Sequence, residues 1–520
     1  MESFNASRYL VERRVAGGDG HKTAIRVRDR SLSYEELLER VVGAAAGLRE
    51  LGVRPEERVV LVLFDGAEFV ATFLGAMWIG AVPLPLNPLL PGGDLARSAA
   101  DSRARVAVIS VERLAHARDL VAGAPELRHL IVAGDGELLE VDTVDLHRYG
   151  PLMTAAREAA AYETWEESPG FWLCTSGTTG RPKLAMHRHV DLRLVAEGYA
   201  REVLEIGAHD RCVSVAPMFH AYGLGNSLVF PFSVGAMAIL EPTRPPSAAL
   251  VADLVRAERP TLFFSVPTFY AALLAADLPK DTFASVRSAV SAGEPLPGDL
   301  FSRFGDRFGL EILDGIGSTE MTHIYISNRR GQARPGSSGM PVVGYEIRLV
   351  DESGQEVAAG VPGQLRVSGA SAATGYWCRS QETRRSVEGE WFRSGDMYVR
   401  SQDGRYAYLG RADDMFKVGG EWVAPAEVEA VLIDHPGVLE AVVVGRPRED
   451  GLLEPAAYVV PVPDAELDDV ALAQHCSDRL AGFKRPREVV VVDQLPKTAM
   501  GKIKRSAVRE WAHGAPVAVA

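Results

Sequence analysis

Four cysteines in 520 residues, Cys174, Cys212, Cys378 and Cys476, stand far apart and form no Cys-x-x-Cys pair. That excludes a zinc ribbon and fits a reducing compartment. Positive charge is also scarce. Against 69 Asp and Glu there are 56 Lys and Arg, a formal net charge of −13, and no basic cluster outweighs that field, so no nucleic-acid partner is expected. Long apolar runs are missing too. The longest, "FLGAMWIGAVPLPL" from Phe73, is broken by prolines, too short and interrupted for a transmembrane helix. The opening "MESFNASRYLVERR" has no apolar centre of signal-peptide type. Neither Gly-x-Gly-x-x-Gly after a strand nor Gly-x4-Gly-Lys-Ser/Thr occurs, which argues against a nicotinamide enzyme and a P-loop enzyme. The expectation is a cytoplasmic protein, monomer or homodimer, with no membrane partner.

What is present reads as layered α/β structure. The segment "SLSYEELLERVVGAAAGLRELGV" opens with Ser33 and Glu36 at capping-box spacing. Its apolar residues recur at helical period until Gly52. "RVVLVLF", the helical "EFVATFLGAMWIGA" and "VPLPL" then make a βαβ unit. "RVAVIS", "HLIVAG", "CVSVAP", "AMAIL" and "TLFFSVP" extend the strand pattern. After about Gly339 the texture changes to short strands joined by Gly and Asp turns, the mark of an antiparallel part. A tail of about a hundred residues after Arg411 carries its own alternation of helices and strands. The length suits several domains. The division expected is 1–411 and 412–520.

One loop stands out. "TSGTTGRPK", Thr175 to Lys183, follows the apolar "GFWLC" and crowds hydroxyls, glycines and cations into nine residues. Such a loop can wrap phosphate oxygens, although alone it could be a surface turn. It is followed in order by "GIGSTE" (from Gly315), "SGD" (from Ser394), "YLGRADD" (from Tyr408) and "PKTAMGK" (from Pro496). With these five ordered motifs the chain resembles the adenylate-forming superfamily of acyl- and aryl-CoA ligases, adenylation domains and firefly-type luciferases. "FHAYGLGN", "SAGEPLP", "DGIGSTEMTHIYISN" and "KVGGEWVAP" resemble benzoate-CoA ligases in particular.

The resemblance implies a fold and a chemistry. The fold would be a large multi-sheet α/β domain with a small barrel-like β part, followed by a small, mobile α+β domain acting as a lid. A carboxylate would attack the α-phosphorus of ATP to give an acyl-adenylate and diphosphate, and a thiol would then displace AMP. Positioning and charge neutralisation would supply most of the catalysis. Thr175, Ser176, Gly177, Thr178, Thr179 and Lys183 would hold the β- and γ-phosphates. Thr319 would touch the α-phosphate, and Glu320 would hold Mg²⁺. Gly293, Glu294, Asp314 and Ile316 would frame the adenine, with Asp396 and Arg411 at the ribose. Lys502 would bridge the carboxylate and the α-phosphate. Asp413 would be the hinge that exchanges this lysine for a thiol-tunnel face of Lys417, Gly419 and Gly420.

The same resemblance places Ala221, Tyr222, Gly317, His323 and Ile324 around the acyl group, with His220 at the rim. That apolar, flat set suits a benzene-sized ring. His220 and His323 could equally be core histidines bonded to backbone carbonyls. Ala221 stands where salicylate-activating relatives have an asparagine, so no reader for an ortho-hydroxyl is expected. Phe483 and Arg485 match positions that lie against the nucleotide of coenzyme A. The phosphopantetheine of a carrier protein in polyketide or peptide biosynthesis is the alternative thiol.

Overall fold

The computed structural model describes residues 3–138, 143–154, 158–175, 182–419, 421–448, 452–462, 467–497 and 503–514. The chain folds as two compact units, Met1–Ile347 with Val367–Arg393, and Arg348–Arg366 with Ser394–Ala520. The division expected at 411/412 falls inside the second unit. Among the described residues no helix is long and apolar enough to cross a membrane.

The first unit holds two large sheets. In one, five strands run parallel in the order Val82–Pro85, Arg58–Val62, Val106–Ser110, His129–Ala133 and Asp145–Arg148. Its central strands read as continuous apolar runs because both of their faces are covered. The helix Ala67–Trp78 crosses between the first two strands to be formed, and its residues from Phe69 on are buried throughout. It packs against Tyr34–Glu50, whose capping box is formed as the sequence predicts, with the Ser33 hydroxyl accepting from the Glu36 N–H.

The second sheet has nine strands. Its centre is the parallel run Ile312–Gly317, Ser288–Ser291, Leu262–Ser265, Arg211–Ser214, Met237–Leu240 and Thr23–Val27. Antiparallel strands flank this run on both sides. The stretches "FHAYGLGN" and "SAGEPLP" follow or end the parallel strands Arg211–Ser214 and Ser288–Ser291, and "DGIGSTE" ends Ile312–Gly317, the side of an open α/β sheet where ligands are placed. A third, three-stranded sheet carries the hairpin Pro169–Thr175 and Lys183–Arg188, with Gly375–Tyr376 on its outer edge.

In the second unit, residues 396–400 of the strand Trp391–Arg400 pair antiparallel with Tyr406–Arg411. The tail builds a three-stranded sheet from Val438–Pro447, Leu453–Pro461 and Glu488–Val491. The helices Pro425–Ile433, Asp469–Arg479 and Arg505–Ala512 accompany it. Val428, Leu432, Val443, Val459 and Leu472 lie in one core around this sheet, while Val442, Tyr458 and Val508 lie in another.

Candidate active site

Thr175 ends one strand of the small hairpin and pairs in register with Lys183, which begins the next. Ser176, Gly177, Thr178 and Thr179 lie outside the described residues. Lys183 holds its ammonium 4.2 Å from the centre of the Tyr376 ring, within cation–π range. The Tyr376 hydroxyl in turn donates to Glu320 Oε1 at 2.5 Å. Burial, and then the Glu320 carboxylate beside it, push this phenol well above its ordinary range, so it stays a donor at neutral pH. A cation and a carboxylate therefore share one tyrosine, the first at its ring face and the second at its hydroxyl. Tyr376 is a residue that the sequence reading did not single out.

Glu320 sits in the one-turn helix Thr319–Met321, capped by the Ser318 hydroxyl. The turn is braced from behind. Thr322, a β-branched residue, has φ +69°, a conformation such residues rarely adopt. Its hydroxyl donates to the Ser371 carbonyl and lies 3.1 Å from His187 Nδ1. The Ser371 hydroxyl donates to the Met321 carbonyl. This buried network over-determines the strained residue, as strain beside functional groups requires. Glu320 offers a hard oxygen donor of the kind Mg²⁺ takes. Among the described residues only the Tyr376 side chain is bonded to its carboxylate.

Asp314 lies on the strand Ile312–Gly317. Its Oδ2 accepts from the Ser338 hydroxyl at 3.1 Å, while Oδ1 is buried without a partner among the described residues. Burial raises its carboxyl well above the usual carboxylate range, against the Ser338 and Gly315 hydrogen bonds. An orphaned buried oxygen is costly and implies a ligand group that satisfies it; an adenine amino group is such a donor. Ile316 is on the same strand, paired with Ile326. Gly317 is required by close approach, since a Cβ there would come within 2.4 Å of the His323 carbonyl oxygen. Gly293 lies in an exposed turn. Glu294 is already committed, its carboxylate accepting from the Thr268 N–H and hydroxyl at the start of the helix Pro267–Ala275.

The proposed acyl residues converge. His323 is 2% exposed and packs among the rings of Tyr199, Tyr222 and Phe230. Burial drives its pKa down to about 3, so the imidazole is neutral. Its Nε2 meets the Tyr222 carbonyl at 3.3 Å, the core-histidine arrangement, while Nδ1 is buried and unpartnered among the described residues. The Tyr222 hydroxyl donates to the carbonyls of Ser265 and Val290. Ile324 is buried in the core, and Ala221 packs against it partly buried. His220 precedes the short helix Ala221–Leu224, with its ring 4.5 Å from that of Phe219. This segment is anchored by a buried ion pair that the sequence reading missed. Asp65 Oδ1 accepts from the Met218 N–H at 3.0 Å, and Oδ2 accepts from Arg244 at 2.5 Å.

In the second unit, Asp396 and Arg411 are cross-strand partners, and Arg411 Nη1 donates to Asp396 Oδ1 at 2.9 Å. Although burial works against its charge, Asp396 holds the guanidinium above its ordinary range. Gly395 has φ +75° and sits against the guanidinium, where a side chain would collide. The Asp413 carbonyl accepts from Arg509 at 2.7 Å, and the same guanidinium pairs with Asp414. Lys417 lies 4.5 Å from the Trp422 ring centre and 3.6 Å from Glu352. Gly419 turns with φ +60°; Gly420 lies outside the described residues. Phe483 packs on the core of the tail. Arg485 donates to the carbonyls of Leu480 and Ser477 at the end of the helix Asp469–Arg479. Lys502 lies outside the described residues.

Comparison with known proteins agrees along the whole length. Residues 11–377 match the AMP-binding enzyme family and residues 427–502 the AMP-binding enzyme C-terminal domain. The chain is 44% identical to a benzoate--CoA ligase of Thauera aromatica, over 98% of this chain and 96% of that one. It is 40% identical to a 4-hydroxybenzoate--CoA/benzoate--CoA ligase of Rhodopseudomonas palustris, over 99% and 95%. The anthranilate CoA ligase AuaEII, solved with anthranoyl-AMP, superposes with a TM-score of 0.92 at 37% identity, covering 98% of this chain and 97% of the other. A benzoate CoA ligase from Burkholderia xenovorans LB400 gives 0.86 at 42% identity, covering 97% and 100%. The chain belongs to the AMP-binding enzyme family.

Proposed function

We propose that this enzyme activates a benzoate-like aromatic acid with ATP and passes the aryl group from the adenylate to the thiol of coenzyme A. The products are an aryl-CoA thioester, AMP and diphosphate. The observation that carries the reading is agreement over nearly the full length with relatives named as benzoate- and hydroxybenzoate-CoA ligases. The cluster of rings at Tyr222 and His323 supports it, because flat rings and a neutral imidazole favour an aromatic guest over a flexible alkyl chain.

The roles divide between the two units. In the first, Lys183 and the adjoining hydroxyl loop neutralise phosphate charge, Thr319 meets the α-phosphate, and Asp314 uses its unpartnered oxygen for the adenine. Glu320 would hold Mg²⁺, which when bound offsets the charge of the triphosphate. In the second, Asp396 takes the ribose hydroxyls beside Arg411. Lys502 supports the first half-reaction, whereas Lys417 and Gly419 belong to the second, with Asp413 as the hinge. The reaction needs no membrane, and a cytoplasmic site suits its soluble substrates.

The test is a panel of benzoate, aminobenzoates, hydroxybenzoates and hexanoate in pyrophosphate exchange, followed by thioester formation with coenzyme A and with a holo-carrier protein. Exchange with ring acids and thioester formation with coenzyme A are expected. Exchange with hexanoate alone would overturn the substrate class. Transfer only to the carrier protein would overturn the acceptor.

A further inference from the structure

A second cluster of chemical groups lies on the five-stranded parallel sheet, apart from the motif residues. His129 and Asp145 stand opposite each other on the last two strands, and Asp145–Arg148 is the edge strand. His147 follows Asp145 by two positions, so strand alternation brings all three side chains to one face. His147 Nε2 is 3.2 Å from His129 Nδ1, and Asp145 Oδ2 is 3.4 Å from that same nitrogen. One donor atom from each residue lies within 4.8 Å of the others, the one such convergence of His, Cys, Asp and Glu among the described residues.

Those separations have a meaning. Zinc bonds of about 2.0–2.1 Å in tetrahedral geometry hold neighbouring donors about 3.3–3.4 Å apart. Two edges of the triangle therefore already match a tetrahedral ligand set. Two imidazoles and a carboxylate suit Zn²⁺, Cu²⁺ or Ni²⁺ rather than Mg²⁺ or Ca²⁺. The His129 side chain is 18% exposed and that of Asp145 76%. One ligand is thus anchored in the sheet while another reaches solvent, leaving room for a water in the fourth position.

We propose that His129, Asp145 and His147 form a transition-metal site of the zinc class that fastens the edge strand to its neighbour. Without metal the two rings face each other through a single N–H···N bond. Binding replaces that bond with two metal–nitrogen bonds, and the bridging proton passes by way of solvent to the other nitrogen of its own ring. An edge strand is the part of a sheet most in need of such fastening, because one side of its backbone is unpaired.

The experiment uses the full-length protein stripped with a chelator. Zn²⁺ is titrated in competition with a chromophoric chelator, and the melting temperature is followed with and without the metal. One Zn²⁺ per chain is expected to bind and to raise the melting temperature, as linkage requires. His147→Gln should weaken that binding at least tenfold and abolish the thermal shift, while leaving Mg²⁺-supported pyrophosphate exchange at the wild-type rate. Asp145→Asn, on an exposed side chain, should weaken zinc binding with no cost to folding, which keeps the test open if His129→Gln fails to fold. Equal zinc affinity or an equal thermal shift in wild type and His147→Gln would overturn the proposal and leave a hydrogen-bonded pair of rings.

Discussion

The phenol of Tyr376 donates a 2.5 Å hydrogen bond to the Glu320 carboxylate while the Lys183 ammonium rests over its ring. One side chain thus orients both the proposed metal ligand and a proposed phosphate cation. Hydrogen bonds to charged groups contribute about 1.5–3 kcal/mol. Tyr376→Phe keeps the ring and loses only that bond. It is expected to raise the Mg²⁺ concentration for half-maximal pyrophosphate exchange roughly tenfold or more, with the melting temperature little changed. A large loss of thermal stability with an unaltered Mg²⁺ requirement would instead make the contact purely structural.

The buried pair of Asp65 and Arg244 fixes the backbone just before His220. Removing one partner of a buried pair leaves an uncompensated charge and costs roughly 3–5 kcal/mol. Arg244→Met should therefore lower stability by about that amount in denaturant unfolding. The same variant should raise KM for the aryl acid more than KM for ATP, since the displaced segment carries residues proposed to surround the acyl group.

Lys502 is assigned to the adenylating half-reaction alone. A unit charge at ~4 Å contributes roughly 4 kcal/mol at an effective dielectric of 20. Expressed only in the transition state, that is about a thousandfold in rate. Lys502→Ala should lose adenylate formation to that extent yet convert supplied aryl-adenylate to thioester at close to the wild-type rate. Parallel loss of both steps would refute the division of labour.

Acid should destabilise the first unit through two buried histidines. Burial lowers His189 and His323 to about 3, from an ordinary value of 6.5. Between those values the unfolded chain binds more protons than the folded one, so stability rises with pH across that window and is lost as pH falls through it. Each histidine contributes a slope of up to about 1.4 kcal/mol per pH unit. His323→Gln should flatten the fall in melting temperature between pH 6.5 and pH 4.5. An unchanged slope would show that the imidazole does not stay neutral in the folded state.

Elements set by local chemistry were legible in the sequence. The Ser33 capping box, the βαβ unit from Arg58 to Pro85 and the alternating tail follow from spacing and apolar runs, and the structure has each of them. The site was legible only where motifs mark it. Tyr376 escaped because a tyrosine after glycine in a short strand carries no chemical signature. Asp65 and Arg244 meet across 179 positions, a pairing that no window of sequence contains. Glu294 and Arg485 are conspicuous in the sequence, yet in the fold they cap helix ends, with Glu294 at an N-terminus and Arg485 at a C-terminus. Isolated polar residues in loops do not announce which backbone group they will meet.

The Tyr222 hydroxyl shares its one proton between the carbonyls of Ser265 and Val290, and if its ring faces the acyl group as proposed, this has a consequence for the acids the enzyme accepts. A ring riveted at its far end to two strand termini works as a fixed gauge and does not swing aside for a bulkier guest. New tolerance is therefore more readily gained by altering the small neighbour Ala221 than by trimming the tyrosine, whose loss would take a hydroxyl donor from the Ser265 carbonyl and leave that of Val290 to Tyr270 alone.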